Sequence, residues 1–266
     1  MEPKAELYSG TYSNYGESLY RDIRKETFGE DMGQNSWLTA EEYRNIFSLL
    51  KLTPDKKVLE IATGSGGPAV IMVKETGCHL TGIDINKSGV INGKKLAKEN
   101  AVDHQIVFLQ ADASEALPFK DESFDVVISI DSINHLMDRN KVLKEFKRVL
   151  RTGGQLLYID PVVVTGILSN EEIAIRSSIG FFLFVPIGEN ERLLQEAGFK
   201  AIQSSNVTGN IIFVSIKWFN ARESRKDDLI KIESEVNFNG LQKFFKMVHT
   251  LSSEGRLSRF MFIATK

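Results

Sequence analysis

The sequence predicts an α/β fold of the doubly wound kind, a mostly parallel sheet with helices on both faces. Three observations carry this. From residue 57 onward, short apolar runs alternate with amphipathic helical segments, a pattern that demands crossover connections between parallel strands. The first apolar run leads into a glycine turn, "GSGGPA" at 64–69, with the G-x-G-x-x-A spacing that opens a helix after a strand. Asp84 closes the second run twenty positions after Gly64, where such folds place an acid at the carboxyl edge of the sheet.

The elements follow in order. Residues 1–36 are polar and rich in tyrosine (Tyr8, Tyr12, Tyr15, Tyr20). "TAEE" at 39–42 has the capping-box pattern, and Tyr43, Ile46, Phe47, Leu49 and Leu50 behind it form a helical stripe that Pro54 ends. "KVLEIA" (57–62) reads as a strand, and Pro68 suits the first turn of the helix after it. "HLTGIDI" (79–85) is the second strand, and "KSGVINGKKLAKENA" (87–101) a helix in spite of two interior glycines. "QIVFLQAD" (105–112) and "FDVVISID" (124–131) are strands. "RNKVLKEFKRVL" (139–150) is a helix that points Val142, Leu143, Phe146, Val149 and Leu150 inward, with Gly153 and Gly154 expected to stop it. "QLLYIDPVVV" (155–164) is the fifth strand, "ENERLLQEAGF" (189–199) a short helix closed by Gly198, and "KAIQSSNV" (200–207) a strand. "FNGLQKFFKMVHTLSSEG" (238–255) reads as a helix and "SRFMFIATK" (258–266) as a final strand. Segments 8–36, 161–190 and 208–250 interrupt the alternation and are expected to cap the carboxyl edge. Within the last, "SRKDDLIKIESE" (224–235) reads as a solvated helix face.

The 266 residues suffice for one domain. Its expected parts are an N-terminal helical cap (1–50), a ligand-binding core (51–160), a stretch that completes the sheet and inserts cap elements (161–255), and the final strand (256–266). A net charge of −2 gives no bulk attraction to nucleic acid or to an anionic membrane. The single cysteine, Cys78, cannot form an intrachain disulfide. "MEPKAELYSG" lacks the apolar core of a signal peptide, and "IGFFLFVPIG" (179–188) is too short to span a bilayer. A cytoplasmic protein with no nucleic-acid or membrane partner is the expectation. His79, His104 and His249 show no metal spacing, so no metal is expected.

The glycine turn and Asp84 alone would fit a dinucleotide. Glu60, at the end of the first strand, argues otherwise. A carboxylate beside the turn does not favour pyrophosphate; it suits a cationic, phosphate-free nucleoside. Asp84 can accept from both ribose hydroxyls, and a charged hydrogen bond of this kind contributes about 1.5–3 kcal/mol. Asp112, in "QADASEALPF" after the third strand, can accept from an adenine amino group, with Leu117 or Phe119 against the ring. An acid at the end of each of three successive strands surrounds one glycine turn.

With "VLEIATGSGG", "GIDI", "ADASEALPF", "FDVVISIDSINHLMD" and "RVLRTGGQLLYID" running in order over 57–160, the chain resembles the class I S-adenosylmethionine-dependent methyltransferases. "RVLRTGG" before a strand has no counterpart in dinucleotide dehydrogenases. The resemblance implies a Rossmann-like sheet of seven strands with the last antiparallel, S-adenosyl-L-methionine as cofactor and S-adenosyl-L-homocysteine as product. It implies cofactor contacts from Glu60, Ala62, Gly64, Gly66, Asp84, Ile85, Asp112, Ala113 and Ile130. Ala62 stands where the family usually has glycine, so a slightly tighter turn with no loss of binding is expected. Outside the core, "YGESLYRDIRKETFGED" (15–31), "DSINHL" (131–136) and the closing strand look like small-molecule enzymes of the sarcosine/dimethylglycine and phosphoethanolamine type. That likeness makes His135 a candidate catalytic group, with Tyr15 and Tyr20 as candidate partners. It implies a small-molecule methyl acceptor, an amine or hydroxyl favoured, and a monomer or homodimer. Trp37 and "SSIGFFLFVP" (177–186) are expected as cap packing rather than a substrate box; Arg176 and Arg222 could meet an anionic substrate, with a solvated surface or a salt bridge the expectation. A catalytically silent cofactor-binding subunit and an NAD-dependent dehydrogenase are the competing readings.

Overall fold

In the computed structural model, which describes residues 7–266, the alternation becomes one sheet. Its strands are β1 (Lys57–Ile61), β2 (His79–Asp84), β3 (Ile106–Gln110), β4 (Phe124–Ile130), β5 (Leu150–Val164), β6 (Val185–Pro186), β7 (Lys200–Asn206) and β8 (Leu257–Thr265). They lie in the order β3-β2-β1-β4-β5-β8-β7, with the two-residue β6 attached to β5. β1 to β5 are parallel, and β8 runs antiparallel between β5 and β7, as the sequence implied for the last strand. The order turns back between β1 and β4, which opens a crevice at the carboxyl ends of those two strands.

Successive side chains of a strand face opposite ways, so each central strand feeds two cores. Val58, Leu80 and Val126 meet α3 (Ala40–Leu49), α4 (Gly67–Thr76) and α5 (Lys87–Glu99) through Ile46, Val70 and Val90. Leu59, Val127 and Leu156 meet α6 (Arg139–Val149) and α8 (Glu189–Glu196) through Leu143, Phe146 and Leu194. Burying such a side chain contributes roughly 1.5–3 kcal/mol, and both faces of the inner strands are apolar, as a doubly covered parallel sheet requires.

A third core joins the remaining helices into a cap: α1 (Tyr8–Ser13), α2 (Ser18–Phe28), α7 (Asn170–Arg176), α9 (Thr208–Glu223), α10 (Lys226–Glu233) and α11 (Glu235–Ser253). Ile23, Phe28, Trp37, Trp218, Phe238 and Phe245 form its centre. Trp37 packs edge-on to Trp218 at 6.0 Å and to Phe245 at 6.2 Å, which is the cap packing expected of it. The cap is pinned to the sheet by a buried ionic cluster. Arg259 of β8 donates to Asp131 beyond β4 (2.7 Å) and to Glu42 of α3 (2.7 Å), while Asp131 also accepts the Trp37 N–H at 2.9 Å.

Several local expectations are corrected. Thr39 accepts the Glu42 N–H, but the Glu42 side chain turns away to Arg259 and leaves the capping box half made. Leu49, placed on the inward stripe, is 45% exposed. α6 stops at Val149 without help from the glycine pair, because Leu150 already pairs with Phe124 in the sheet. Gly153, at φ +77°, instead sits in a bulge where the register of β4 and β5 shifts. The interior glycine of α5 at Gly89 has a packing reason, since a Cβ there would stand 2.7 Å from the Gly64 carbonyl oxygen. Segment 224–235 is only partly solvated: Leu229 is buried, and Glu233 forms a buried ion pair with Arg222.

Candidate active site

The crevice at the ends of β1, β2 and β4, closed over by α1 and the loop after α7, encloses a cavity of about 470 Å³. Volumes of this order hold a ligand of nucleoside size. Its floor is the turn from β1 into α4. Glu60, next to last in β1, is buried, and its Oε2 accepts from the Thr63 hydroxyl at 2.6 Å. Burial pushes the Glu60 carboxyl up to about 7, the Thr63 hydrogen bond opposing and the Asp84 charge adding. Ala62 lines the cavity at φ +55°. Left-handed backbone costs an L-residue about 1–2 kcal/mol, so the turn is strained at Ala62. Gly64, at φ +59°, donates its N–H to Asp84 at 2.8 Å.

Asp84 is buried at the tip of β2. Its other oxygen accepts from the Asn86 N–H at 2.8 Å, and burial raises its pKa against these two backbone hydrogen bonds. Each carboxylate oxygen can accept more than one hydrogen bond, so both retain capacity toward the cavity. Ile85 beside it is 65% exposed, a large apolar side chain left uncovered at the mouth. Asp112, exposed after β3, accepts from Ser114 N–H at 2.8 Å, with Ala113 buried behind it. Ile130 lines the wall at the end of β4. The described lining holds four carboxylates, from Glu60, Asp84, Asp112 and Asp131, and neither lysine nor arginine.

His135 stands at the inner wall, in the turn after β4. Its Nδ1 faces the Phe181 carbonyl at 2.8 Å, so Nδ1 carries the hydrogen and donates it. Nε2 then accepts from the Tyr8 hydroxyl at 2.9 Å. Burial pulls the imidazole down to about 4; the Phe181 carbonyl opposes this, and the Arg176 charge adds to it. The ring is therefore neutral at pH 7. The Tyr8 phenol is held well above its ordinary range, chiefly by burial.

The structure brings Glu60, Ala62, Gly64, Asp84, Ile85, Asp112, Ala113, Ile130 and His135 to one cavity. It places three expected site residues elsewhere. Gly66 does not line the cavity; at φ +74° it caps α4, and a Cβ there would lie 2.6 Å from the Phe108 ring, so its need is packing. Tyr20 donates to Glu233 at 2.7 Å inside the cap. Tyr15 lies under the Arg24 guanidinium, 4.6 Å away, and faces a separate cleft. The tyrosine that reaches His135 is Tyr8, and Tyr12 also lines the cavity. Leu117 and Phe119 pack into the core instead of the cavity, Phe119 edge-on to Phe124 at 5.0 Å. Arg222 is salt-bridged as expected. Arg176 is neither solvated nor salt-bridged: it is buried, with both terminal nitrogens lacking a hydrogen-bond partner. Segment 177–186 does more than pack, since Ile179, Gly180 and Phe181 line the cavity.

Among the described residues no cluster of His, Cys, Asp and Glu could hold a metal ion, and no helix is long and apolar enough to cross a membrane.

Comparison with known proteins supports a reading at the level of chemistry. The family model described as a methyltransferase domain matches residues 59–158. The chain is 31% identical to 27-O-demethylrifamycin SV methyltransferase of Amycolatopsis mediterranei (strain S699) over 205 residues, 73% of this chain and 75% of that one. It is 38% identical over 112 residues to sarcosine/dimethylglycine N-methyltransferase of Halorhodospira halochloris, covering 42% of this chain and 40% of that enzyme. In fold it is similar to Haemonchus contortus phosphoethanolamine N-methyltransferase 2, with a TM-score of 0.79 at 22% identity, over 96% of this chain and 59% of that one. The sheet order, the strand-end acids and the long match to the rifamycin enzyme agree, and the chain belongs to the methyltransferase-domain family: it is a class I S-adenosylmethionine-dependent methyltransferase.

Proposed function

We propose that the cavity binds S-adenosyl-L-methionine along the glycine turn and transfers its methyl group to a small molecule held between His135, Tyr8 and the cap. One observation carries this reading: four carboxylates and no lysine or arginine line the described cavity. That electrostatic field suits a cationic nucleoside and opposes a pyrophosphate.

When bound, the cofactor supplies a methyl group already activated by a sulfonium, whose leaving group needs no acid. Asp84 would take the ribose hydroxyls, Glu60 and the turn the amino-acid end, and Asp112 the adenine amino group, with Ile85 against the ring. The protein's remaining task is alignment and exclusion of water, which can supply roughly 7–11 kcal/mol of the barrier. α1 and the loop through Phe181 cover the site for this purpose. Tyr8 and His135 form a proton path: an acceptor's proton would pass to the Tyr8 oxygen while the Tyr8 proton moves to His135 Nε2. A base held near 4 is weak, so an amine that arrives neutral, or a hydroxyl aligned by Tyr8, suits the site better than a poorly acidic carbon.

The site acts in a monomer or a homodimer. The absence of a disulfide partner for Cys78 fits a cytoplasmic setting. The test is transfer of isotope-labelled methyl from S-adenosylmethionine to a metabolite library that begins with 27-O-demethylrifamycin SV, glycine derivatives and phosphoethanolamine. Labelled product from a small molecule is expected. S-adenosylhomocysteine binding with no product from any acceptor, together with a co-purifying partner, would instead identify a silent subunit.

A further inference from the structure

Behind His135 a second, smaller cavity adjoins the first. Tyr8, Asp131, His135 and Ile179 line both. Its inner wall carries Arg176, 1% exposed, at the end of α7. The guanidinium sits between two aromatic faces, 4.8 Å from the Phe182 centroid and 5.2 Å from that of Phe244. These contacts hold the planar group but leave both terminal nitrogens without a hydrogen-bond partner. The carboxylates that act on it from a distance are already engaged, Asp131 by Arg259 and Trp37, Asp160 by Arg139 and Asn190. The same cavity is lined by Asn134, fully buried, whose carboxamide oxygen and nitrogen also have no partner. A buried cation without a counter-charge is costly to a fold. Two such side chains in one cavity, beside the proposed reacting groups, mark a site that a ligand completes.

Taking the cavity reading above as its basis, we propose that the methyl acceptor carries a carboxylate that pairs with the Arg176 fork and accepts from Asn134, while its nucleophilic atom lies in the main cavity by Tyr8 and His135. The fork geometry of arginine matches an oxyanion through two parallel N–H···O bonds. The space beside the guanidinium is about 20 Å³, little more than one water requires. It suits the compact end of a carboxylate better than a phosphate. Burial lowers the Arg176 pKa to about 10, so the side chain still carries its charge at neutral pH.

The experiment uses the whole chain saturated with S-adenosylhomocysteine. A panel of small amino and hydroxy acids, their primary amides, and phosphate monoesters of similar size is titrated by calorimetry up to 10 mM. At least one acid is expected to bind, its amide at least 10-fold more weakly, and Arg176→Met to weaken the acid at least 10-fold while S-adenosylhomocysteine affinity changes less than 2-fold. Arg176→Lys, which keeps the charge and loses the fork, should give an intermediate loss. Without acceptor, Arg176→Met should melt no lower than wild type; a merely structural arginine would lower the melting temperature. The acid–amide comparison on wild type needs no variant and stands even if Arg176→Met does not fold. Equal binding of acids and amides, preference for the phosphates, or no acid bound by 10 mM would overturn the proposal. Failure of wild type to bind S-adenosylhomocysteine would strike the cofactor reading instead and is seen before any acid is added.

Discussion

Replacing Glu60 by glutamine separates a charge effect from a shape effect at the floor of the site. In the free protein burial holds the Glu60 carboxyl near 7, so about a tenth is ionised at pH 6 and about nine-tenths at pH 8. An ammonium-bearing ligand takes the ionised form. Binding must therefore expel a proton at pH 6 and almost none at pH 8, a difference of about tenfold in affinity, or about 1.4 kcal/mol. Glutamine preserves the volume and can still accept from Thr63, but it cannot titrate. Calorimetry of S-adenosylhomocysteine against both proteins should show the affinity gap between wild type and Glu60→Gln widening about tenfold from pH 6 to pH 8. Titration of the ligand itself is common to both proteins and cancels. The stability of the free protein supplies a second arm. Because the folded pKa lies above the unfolded value of 4.5, the native state binds more protons between these values, and stability falls as pH rises through that window. The accumulated loss is about 3 kcal/mol above pH 7, and Glu60→Gln should recover it in urea denaturation at pH 8. A pH-independent affinity gap, or a variant less stable than wild type at pH 8, would refute the reasoning.

Two further outcomes follow from the same geometry. His135 titrates in the folded state near 4 against an ordinary 6.5, so the unfolded chain binds more protons between these values and stability rises with pH across that window; His135→Gln should flatten that slope, about 1.4 kcal/mol per pH unit, when denaturant midpoints are compared at pH 5 and pH 6.5. Ala62→Gly removes left-handed strain of about 1–2 kcal/mol at the cost of about 0.4–1 kcal/mol in chain entropy, so thermal unfolding should show a variant as stable as wild type or up to about 1.6 kcal/mol more so, and a clearly destabilised variant would mean that the turn is not strained.

The parts of the site legible in the sequence are those fixed by local order along the chain. A strand that ends in an acid and runs into a glycine turn places Glu60, Gly64 and Asp84 at one edge, because the parallel sheet aligns all its strand ends. Gly66, expected at the cofactor, instead caps α4, and its packing constraint comes from Phe108, forty-two positions away on β3. The four N-terminal tyrosines could not be told apart by spacing. The chain breaks between α1 and α2, which turns Tyr8 and Tyr12 to the cavity and Tyr20 to Glu233. The Arg176 environment is drawn from α1, the turn after β4, α7, the loop after it and α11, and no periodicity links residues so dispersed. The glycine pair at 153–154 looked like a helix stop, but a strand partner for Leu150 already ended the helix.

The most direct measurement is a paired calorimetric titration of the purified protein with S-adenosylhomocysteine and with reduced nicotinamide adenine dinucleotide at pH 7.5. A cavity whose described lining holds carboxylates and neither lysine nor arginine should bind one equivalent of the thioether and leave the dinucleotide unbound at the same concentrations. Tight binding of the dinucleotide, with no heat from the thioether, would contradict it.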